Sequence, residues 1–208
     1  MSEKILITSA PPKERLDPDA EALIARIRAR AHNLYQTRQL LCTEAVMVTL
    51  NEGLNGGLSE PQAVAMAAPF SAAMGESGCI CGALSGAVMA SGLFLGDNQP
   101  YRHRHNTRAS ARQLHDAFKA ANGATCCRAL SSKVNHDKKA HFRQCADFTA
   151  EAAEMAARLI LDKRPELIKT ANHRFLVKQD SKIGGIMARV NRFFHPKRSA
   201  KSADNQQL

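Results

Sequence analysis

Residues 77–96 read SGCICGALSGAVMASGLFLG, twenty consecutive positions without a charged side chain. The stretch holds five glycines, two cysteines and three serines, so its mean apolarity is modest for a membrane span of that length. Gly78, Gly82, Gly86 and Ala90 recur every four residues, which forms a smooth ridge where neighbouring helices can approach closely. The pattern favours a buried central helix over a membrane span.

Helical patterns also dominate the sequence on both sides of this stretch. Asp17-Pro18-Asp19 is typical of a helix start, and apolar residues then repeat at helical spacing to Leu34. The long run from Lys138 to Asp162 predicts the longest helix, with Phe142, Cys145, Phe148, Ala152, Met155, Ala156 and Leu159 on one face. A helix over 107–121 is expected to end at Asn122-Gly123, and Tyr101–His105 is expected to form a loop.

The sequence therefore predicts an all-α fold, a compact helical bundle around a glycine-rich central helix with a basic helical C-terminal extension. No strand pattern of any length and no internal repeat is found in the sequence. The predicted organisation is a flexible lead (1–16), a cysteine-containing helical domain (17–163), a basic extension with short helices near 165–178 and 183–194 (164–195), and a disordered tail (196–208).

Basic residues are concentrated near the C-terminus. The chain has a net charge of +10, and from Lys163 onward eleven Lys or Arg residues against three Asp or Glu supply +8 of it. Such a segment suits an acidic protein or an anionic membrane surface, with residues 179–198 as the contact, or it simply keeps the chain soluble. Nucleic acid is disfavoured because no aromatic residues alternate with the basic ones. His103 and His105 are expected in a solvated loop rather than at a metal.

Six cysteines without an export signal indicate a reducing compartment, so we expect a cytoplasmic protein with free thiols. Their spacing matches no local zinc or thioredoxin-type motif. Cys81 falls in the first turn of the central helix, where unpaired amides favour the thiolate, so Cys81 is predicted to have the lowest thiol pKa. On spacing alone, the preferred interpretation of each cysteine is a small buried hydrophobic residue in a helical core.

The run Cys81-Gly82-Ala83-Leu84-Ser85-Gly86 resembles the Cys-Gly-Ala-x-x-Gly signature of the redox-active family C_GCAxxG_C_C. Further segments around Cys42, around Cys127 and around Cys145 resemble the family's other cysteine regions, in the same order, over about residues 30–162. The resemblance implies that Cys42, Cys81, Cys127 and Cys145 are the functional set, as catalytic thiols, cluster ligands or metal ligands. Cys79 and Cys126 are extra to the family pattern.

The resemblance implies a thiol-based redox or electron-transfer protein, an oxidoreductase or an accessory to a larger oxidoreductase. Four sulfurs in one core would suit zinc or an iron–sulfur cluster, and two of them could instead cycle between dithiol and disulfide. Two alternatives stay open beside this: a structural zinc-binding protein, and a helical adaptor that binds an acidic partner or a membrane surface through its basic end. The substrate and the oligomeric state are not predicted.

Overall fold

The computed structural model describes residues 17–96, 99–134, 136–184 and 187, with only the backbone of residues 100, 102 and 103. These residues form helices and no strands, so the predicted all-α class is confirmed. The helices are α1 (Pro18–Gln36), α2 (Cys42–Gly53), α3 (Glu60–Ala67), α4 (Ser71–Glu76), α5 (Gly82–Leu95), α6 (Pro100–Asn122), α7 (Cys127–Leu130), α8 (Lys138–Lys163), α9 (Leu167–Thr170) and α10 (His173–Leu176), with a 3₁₀ turn at Ala68–Phe70.

The glycine-rich helix α5 lies at the centre of the bundle. It packs against α2, α6 and α8, and α8 also packs along the length of α1. Ala83, Ala87 and Ala90 of α5 are buried, and the small side chains allow the neighbouring helices to come close. Among the described residues, the structure contains no helix of the length and apolarity that a membrane crossing requires.

The two longest predicted helices lie where the sequence predicts them, but burial on α8 extends beyond the one predicted face, and Phe142, Cys145, Phe148 and Met155 of that face are only half-buried. In α1 the Asp17 carboxylate accepts a hydrogen bond from the Asp19 backbone N–H at 2.9 Å, which caps the first turn. In α8 the buried positions surround most of the helix, because four other helices pack on it. These buried positions are Ala146, Thr149, Ala150, Ala152, Ala153, Ala156, Ala157, Leu159, Ile160 and Leu161.

Three local predictions were wrong. Helix α6 begins at Pro100 instead of residue 107, so Tyr101–His105 is helical, because Pro at the first position starts a helix without losing a hydrogen bond. Gly78 does not belong to the glycine ridge: its φ is +91°, and α5 starts only at Gly82. The helix predicted near 165–178 is two single turns, α9 and α10, which a break at Ala171-Asn172 separates.

The described part of the C-terminal extension is packed on the bundle. Leu176 is buried against Gly53, where an added Cβ would lie 2.8 Å from the Leu176 side chain. The buried guanidinium of Arg30 binds Asp180 at 2.8 Å and the carbonyl of Lys178 at 3.0 Å. We call Leu176–Asp180 the strap. The predicted helix over 183–194 and the predicted disordered tail lie largely outside the described residues.

The turn between α3 and α5 has an unusual backbone. Ala72, Ala73 and Met74 have φ values of 51°, 61° and 54°, and Gly75 has 62°, so α4 contains a left-handed turn. Such a conformation costs a non-glycine residue about 1–2 kcal/mol. A backbone N–H of this turn reaches the candidate site described next.

Candidate functional site

Four helix-associated cysteines line one small cavity. Cys42 is the first residue of α2, Cys81 caps the N-terminus of α5, Cys127 is the first residue of α7, and Cys145 lies in α8. The cavity of about 20 Å³ also contacts Ala83, Leu130, Ser131, His141, Gln144 and Phe148. This volume suffices for about one water molecule. The structure thus brings together all four cysteines that the resemblance implied.

The glycine ridge of α5 is what lets α2 reach this cavity. A Cβ added to Gly82 would lie 2.5 Å from the Cys42 sulfur and 2.7 Å from the Thr43 hydroxyl oxygen. A Cβ added to Gly86 would lie 2.8 Å from the Thr43 carbonyl oxygen. The Thr43 hydroxyl also donates a hydrogen bond to the Gly82 carbonyl at 2.9 Å. Only glycine at these two positions permits this approach of α2 to α5.

Two cysteine-bearing segments, 77–82 and 125–128, run beside each other. The Cys81 backbone N–H donates to the Thr125 carbonyl at 2.8 Å, and the Arg128 backbone N–H donates to the Gly78 carbonyl at 3.1 Å. These bonds hold the start of α5 against the start of α7. As a result Cys81 and Cys127, far apart in the sequence, become neighbours.

Cys81 and Cys127 share a hydrogen bond that separates their acidities. The hydrogen bond from Cys81 lowers the pKa of Cys127 to about 7, against the opposing effect of burial and with help from the Gly82 backbone N–H. The same hydrogen bond, together with burial, raises the pKa of Cys81. Cys81 is only 3% exposed, so desolvation keeps the proton on it. The low-pKa sulfur is therefore Cys127, and the sequence prediction of Cys81 was wrong.

The physical reason for that error lies at the start of α5. The prediction assumed that the free amides of the first helical turn act on the cysteine of that turn. In the structure the Leu84 N–H of that turn does lower the pKa of Cys81, but the hydrogen bond with Cys127 and burial outweigh it. The Gly82 N–H bonds the sulfur of Cys127, which comes from another helix. Sequence shows which amides are free at a helix start, but not which side chain is folded over them.

Cys42 and Cys145 are held as protonated thiols. Burial raises the pKa of Cys42 and outweighs the lowering by the backbone N–H groups of Ala72, in the left-handed turn, and of Thr43. Burial also raises the pKa of Cys145 to about 11, with contributions from the charges of Cys42 and Cys127. The Tyr35 side chain hydrogen-bonds Cys145, and burial raises the pKa of that phenol as well.

Sequence reasoning missed four residues that contact the cysteines or their cavity: Tyr35, Ser131, His141 and Gln144. His141, Gln144 and Cys145 are spaced i, i+3, i+4 on α8, so the helical period alone could have placed all three on one face. The Gln144 side-chain oxygen is buried and has no hydrogen-bond partner, which leaves an acceptor at the cavity. No pattern in the sequence around Tyr35 indicates its contact with Cys145.

An iron–sulfur cluster does not fit the cavity as it is arranged, and the described residues form no preformed zinc site. In the described part of the chain, no three Cys, His, Asp or Glu side chains are placed to hold an ion. The cavity has room for about one water molecule, and Cys81 and Cys127 face each other in a hydrogen bond. His105 is exposed on α6, and the His103 side chain lies outside the described residues.

Comparisons with known proteins cover the part of the chain that builds this cavity. The model of the family described as "Putative redox-active protein (C_GCAxxG_C_C)" matches residues 40–159. A protein of Archaeoglobus fulgidus, described as "Uncharacterized protein", is 27% identical over 139 residues, which is 63% of this chain and 90% of that relative. No solved structure matches the chain. The matched region includes all four cysteines of the cavity.

Proposed function

The chain belongs to the C_GCAxxG_C_C family, and we propose that it is a thiol–disulfide exchange protein in which Cys127 attacks and Cys81 resolves. The observation that carries the proposal is the hydrogen-bonded contact of these two thiols at the cavity that all four family cysteines share. Near neutral pH about half of Cys127 is thiolate, the form that attacks a disulfide.

The reaction balances with a disulfide-bearing partner as the oxidant. The Cys127 thiolate attacks one sulfur of the partner disulfide, the partner S–S bond breaks, and one partner thiol leaves with a proton. Cys81 then loses its proton and attacks the Cys127 sulfur of the mixed disulfide, which releases the second partner thiol. The partner gains two electrons and two protons, and the chain gains the Cys81–Cys127 bond. The reverse sequence reduces this bond with a dithiol.

The other two cysteines supply a reserve of protonated thiols. Cys42 and Cys145 both lie at the cavity, and the charge of Cys127 raises the pKa of each. Because they line the same cavity as Cys127, we propose that they exchange with it once a disulfide has formed. Their raised pKa values keep them from attacking a partner first, so the order of reaction begins at Cys127.

The proposal is tested by equilibrating the anaerobically purified chain in glutathione redox buffers and counting free thiols at each potential. We expect a reversible loss of two thiols that peptide mapping assigns to Cys81 and Cys127, and no such bond in C81S or C127S. Substitution of the exposed Ser132 by alanine is the control. A wild-type chain that never forms this bond contradicts the proposal. Stoichiometric zinc, or iron with acid-labile sulfide, would favour metal binding instead.

We further propose that the basic C-terminal end docks an acidic protein, such as a larger oxidoreductase that exchanges electrons with the chain. Ile183 and Met187 are 77% and 66% exposed in the same stretch of sequence as Lys178 and Lys182, a composition that supports docking. Because Asp180 pairs with Arg30, the truncation that tests this should begin at Ser181. We expect the truncated chain to lose salt-sensitive binding to an acidic partner and to keep its thiol chemistry. Equal binding with and without the tail rejects the idea.

A further inference from the structure

Two cysteines outside the family pattern form a second thiol pair at the surface. Cys79 is exposed and Cys126 is half-buried, and their side chains hydrogen-bond each other. As a thiol, Cys126 also donates to the Gly78 carbonyl at 3.0 Å, which ties the two segments together. Neither residue lines the cavity.

The surface pair lies on the same two segments as the buried pair. In segment 77–82, Cys81 lines the cavity and Cys79 does not. In segment 125–128, Cys127 lines the cavity and Cys126 does not. Backbone hydrogen bonds fix the segments on both sides of these residues, at 2.8 Å and 3.1 Å. Two dithiols, one that includes the exposed Cys79 and one that includes the buried Cys81, are thus held side by side.

We infer that Cys79–Cys126 is a redox-active surface dithiol that exchanges with a protein or peptide disulfide and passes the disulfide to Cys81–Cys127. This inference rests on the proposed function of the buried pair. It adds a faster external route beside the direct attack of Cys127 on a partner, because the surface pair includes the exposed Cys79, whereas Cys81 of the buried pair is 3% exposed.

The charge around the surface pair sets which sulfur attacks. The backbone N–H of Ala129 and the side chain of Cys79 lower the pKa of Cys126, and the Arg128 guanidinium adds to the effect. The hydrogen bond with Cys126 raises the pKa of Cys79. The Arg128 side chain is held in place by its hydrogen bond to the Ser77 carbonyl at 3.0 Å. Cys126 is thus the nucleophile and Cys79 resolves.

The first exchange oxidises the surface pair. The Cys126 thiolate attacks one sulfur of the partner disulfide, and the departing partner thiolate takes a proton. Cys79 then gives up its proton and attacks the Cys126 sulfur, which releases the second partner thiol and leaves the Cys79–Cys126 bond. The partner is reduced by two electrons, and the surface pair is oxidised by two.

The second exchange moves the bond inward. The Cys127 thiolate attacks the Cys79 sulfur and expels Cys126, since a bond between the adjacent Cys126 and Cys127 would be strained. Cys79 and Cys127 are near enough for their charges to interact. Cys81 then attacks the Cys127 sulfur and expels Cys79, and the proton from Cys81 passes to a released surface thiolate. The bond ends on Cys81–Cys127, and both surface sulfurs are again reduced.

The test follows the order of bond formation after the reduced full chain is mixed with glutathione disulfide. Samples are quenched with N-ethylmaleimide at successive times, and each disulfide is identified by peptide mapping. In the wild type we expect the Cys79–Cys126 bond to rise first and to decay as the Cys81–Cys127 bond accumulates. In C127S the Cys79–Cys126 bond should persist. In C79S/C126S the Cys81–Cys127 bond should form about tenfold more slowly, to the same final extent.

Two further results separate the inference from the proposed function. If C79S/C126S forms the Cys81–Cys127 bond at the wild-type rate, the relay is overturned and the proposed function stands. If the wild type forms only the Cys79–Cys126 bond, the transfer and the role of the buried pair both fail. The S132A variant should match the wild type throughout, because this exposed hydroxyl lies near α7 but touches neither pair.

Discussion

At the scale of single residues, Cys127 has a lowered pKa because of the groups that surround its thiol. Its thiolate accepts one hydrogen bond from a thiol that stays protonated and one from the N–H of Gly82 at the start of α5. Both donors come from a segment more than forty residues away in the sequence. Two predictions concern single residues.

The first concerns the pH dependence of Cys127. The rate of its alkylation by iodoacetamide, followed by peptide mass spectrometry, should rise with a midpoint near pH 7, because the thiolate is the reacting form and its pKa is about 7. In C81A the donor is lost, so the midpoint should shift upward toward the ordinary cysteine value of about 8.5. S132A should leave the midpoint unchanged. An unshifted midpoint in C81A would show that the hydrogen bond does not set the pKa.

The second concerns the left-handed turn beside Cys42. Met74 is 48% exposed and has a φ of 54°, which glycine adopts without steric cost, so M74G should raise the free energy of unfolding by about 0.5–1 kcal/mol. Met66 is 52% exposed in the regular helix α3, so M66G should lower it by about 1 kcal/mol. Urea denaturation of both variants measures these two changes in the free energy of unfolding. Equal destabilisation by the two glycines would refute the left-handed turn.

At the scale of helices, the spacing of small residues decides how closely α2 and α5 pack. Gly82 and Gly86 face α2, while an added Cβ at Gly92 would meet nothing within 4 Å. The three glycines look alike in the sequence, and only the structure shows which of them are in contact. The helix interface is therefore best examined by substituting them one at a time.

G82A should destabilise the chain by about 1–3 kcal/mol, because the new methyl group would collide with the Cys42 sulfur and the Thr43 hydroxyl. G92A should instead stabilise it by about 0.5–1 kcal/mol, since alanine is the better helix former in open space. Thermal and urea unfolding measure both. The thiol assays on G82A should also show a shifted Cys42 reactivity. A stable G82A with unchanged Cys42 would argue against the close packing of α2 on α5.

Much of the helical framework was predictable from the sequence. Local sequence rules predict the caps at Asp17 and Gly123, the helix in the central uncharged stretch and the long helix α8. The structure confirms these elements. The start of α6 was missed because Tyr101–His105 is polar and charged on every side, so it has no apolar face to show a helical period.

The site was predictable only in part. The resemblance implied which four cysteines belong together, and the structure places them on one cavity. The resemblance could not show which two cysteines share a hydrogen bond or which has the lowest pKa, because both depend on backbone amides and burial that other helices contribute. The extra pair at Cys79 and Cys126 carried no signal beyond its residue type. The cytoplasmic location and the redox partner stay predictions.

At the scale of the whole molecule, the strap joins the C-terminal segment to the first helix. Burial would raise the pKa of Asp180, but hydrogen bonds from Gln39 and Arg30 outweigh it and lower that pKa to about 2. Arg30 also stacks over the Phe175 ring, with its guanidinium carbon 4.8 Å from the ring centre. The strap therefore depends on one nearly buried ion pair at its end.

D180N should lower the free energy of unfolding by about 3 kcal/mol near neutral pH, because it leaves the buried Arg30 without its counter-charge. The folded pKa lies below the unfolded value, so the carboxylate stabilises the fold above about pH 4 and this contribution is lost as the pH falls toward 2. Measured by urea denaturation, the difference in the free energy of unfolding between wild type and D180N should disappear over that pH range. D116N, which breaks exposed pairs with Arg112 and His115, should leave the free energy of unfolding nearly unchanged.

The sequence distance between Cys81 and Cys127 links redox chemistry to folding. A bond between them would enclose the whole of α6 in a covalent ring and would remove about 4 kcal/mol of chain entropy from the unfolded state. The linkage is reciprocal, because a bond that favours the fold is itself favoured by the fold. Any substitution or partner that loosens the bundle would therefore also make the oxidised chain a stronger oxidant.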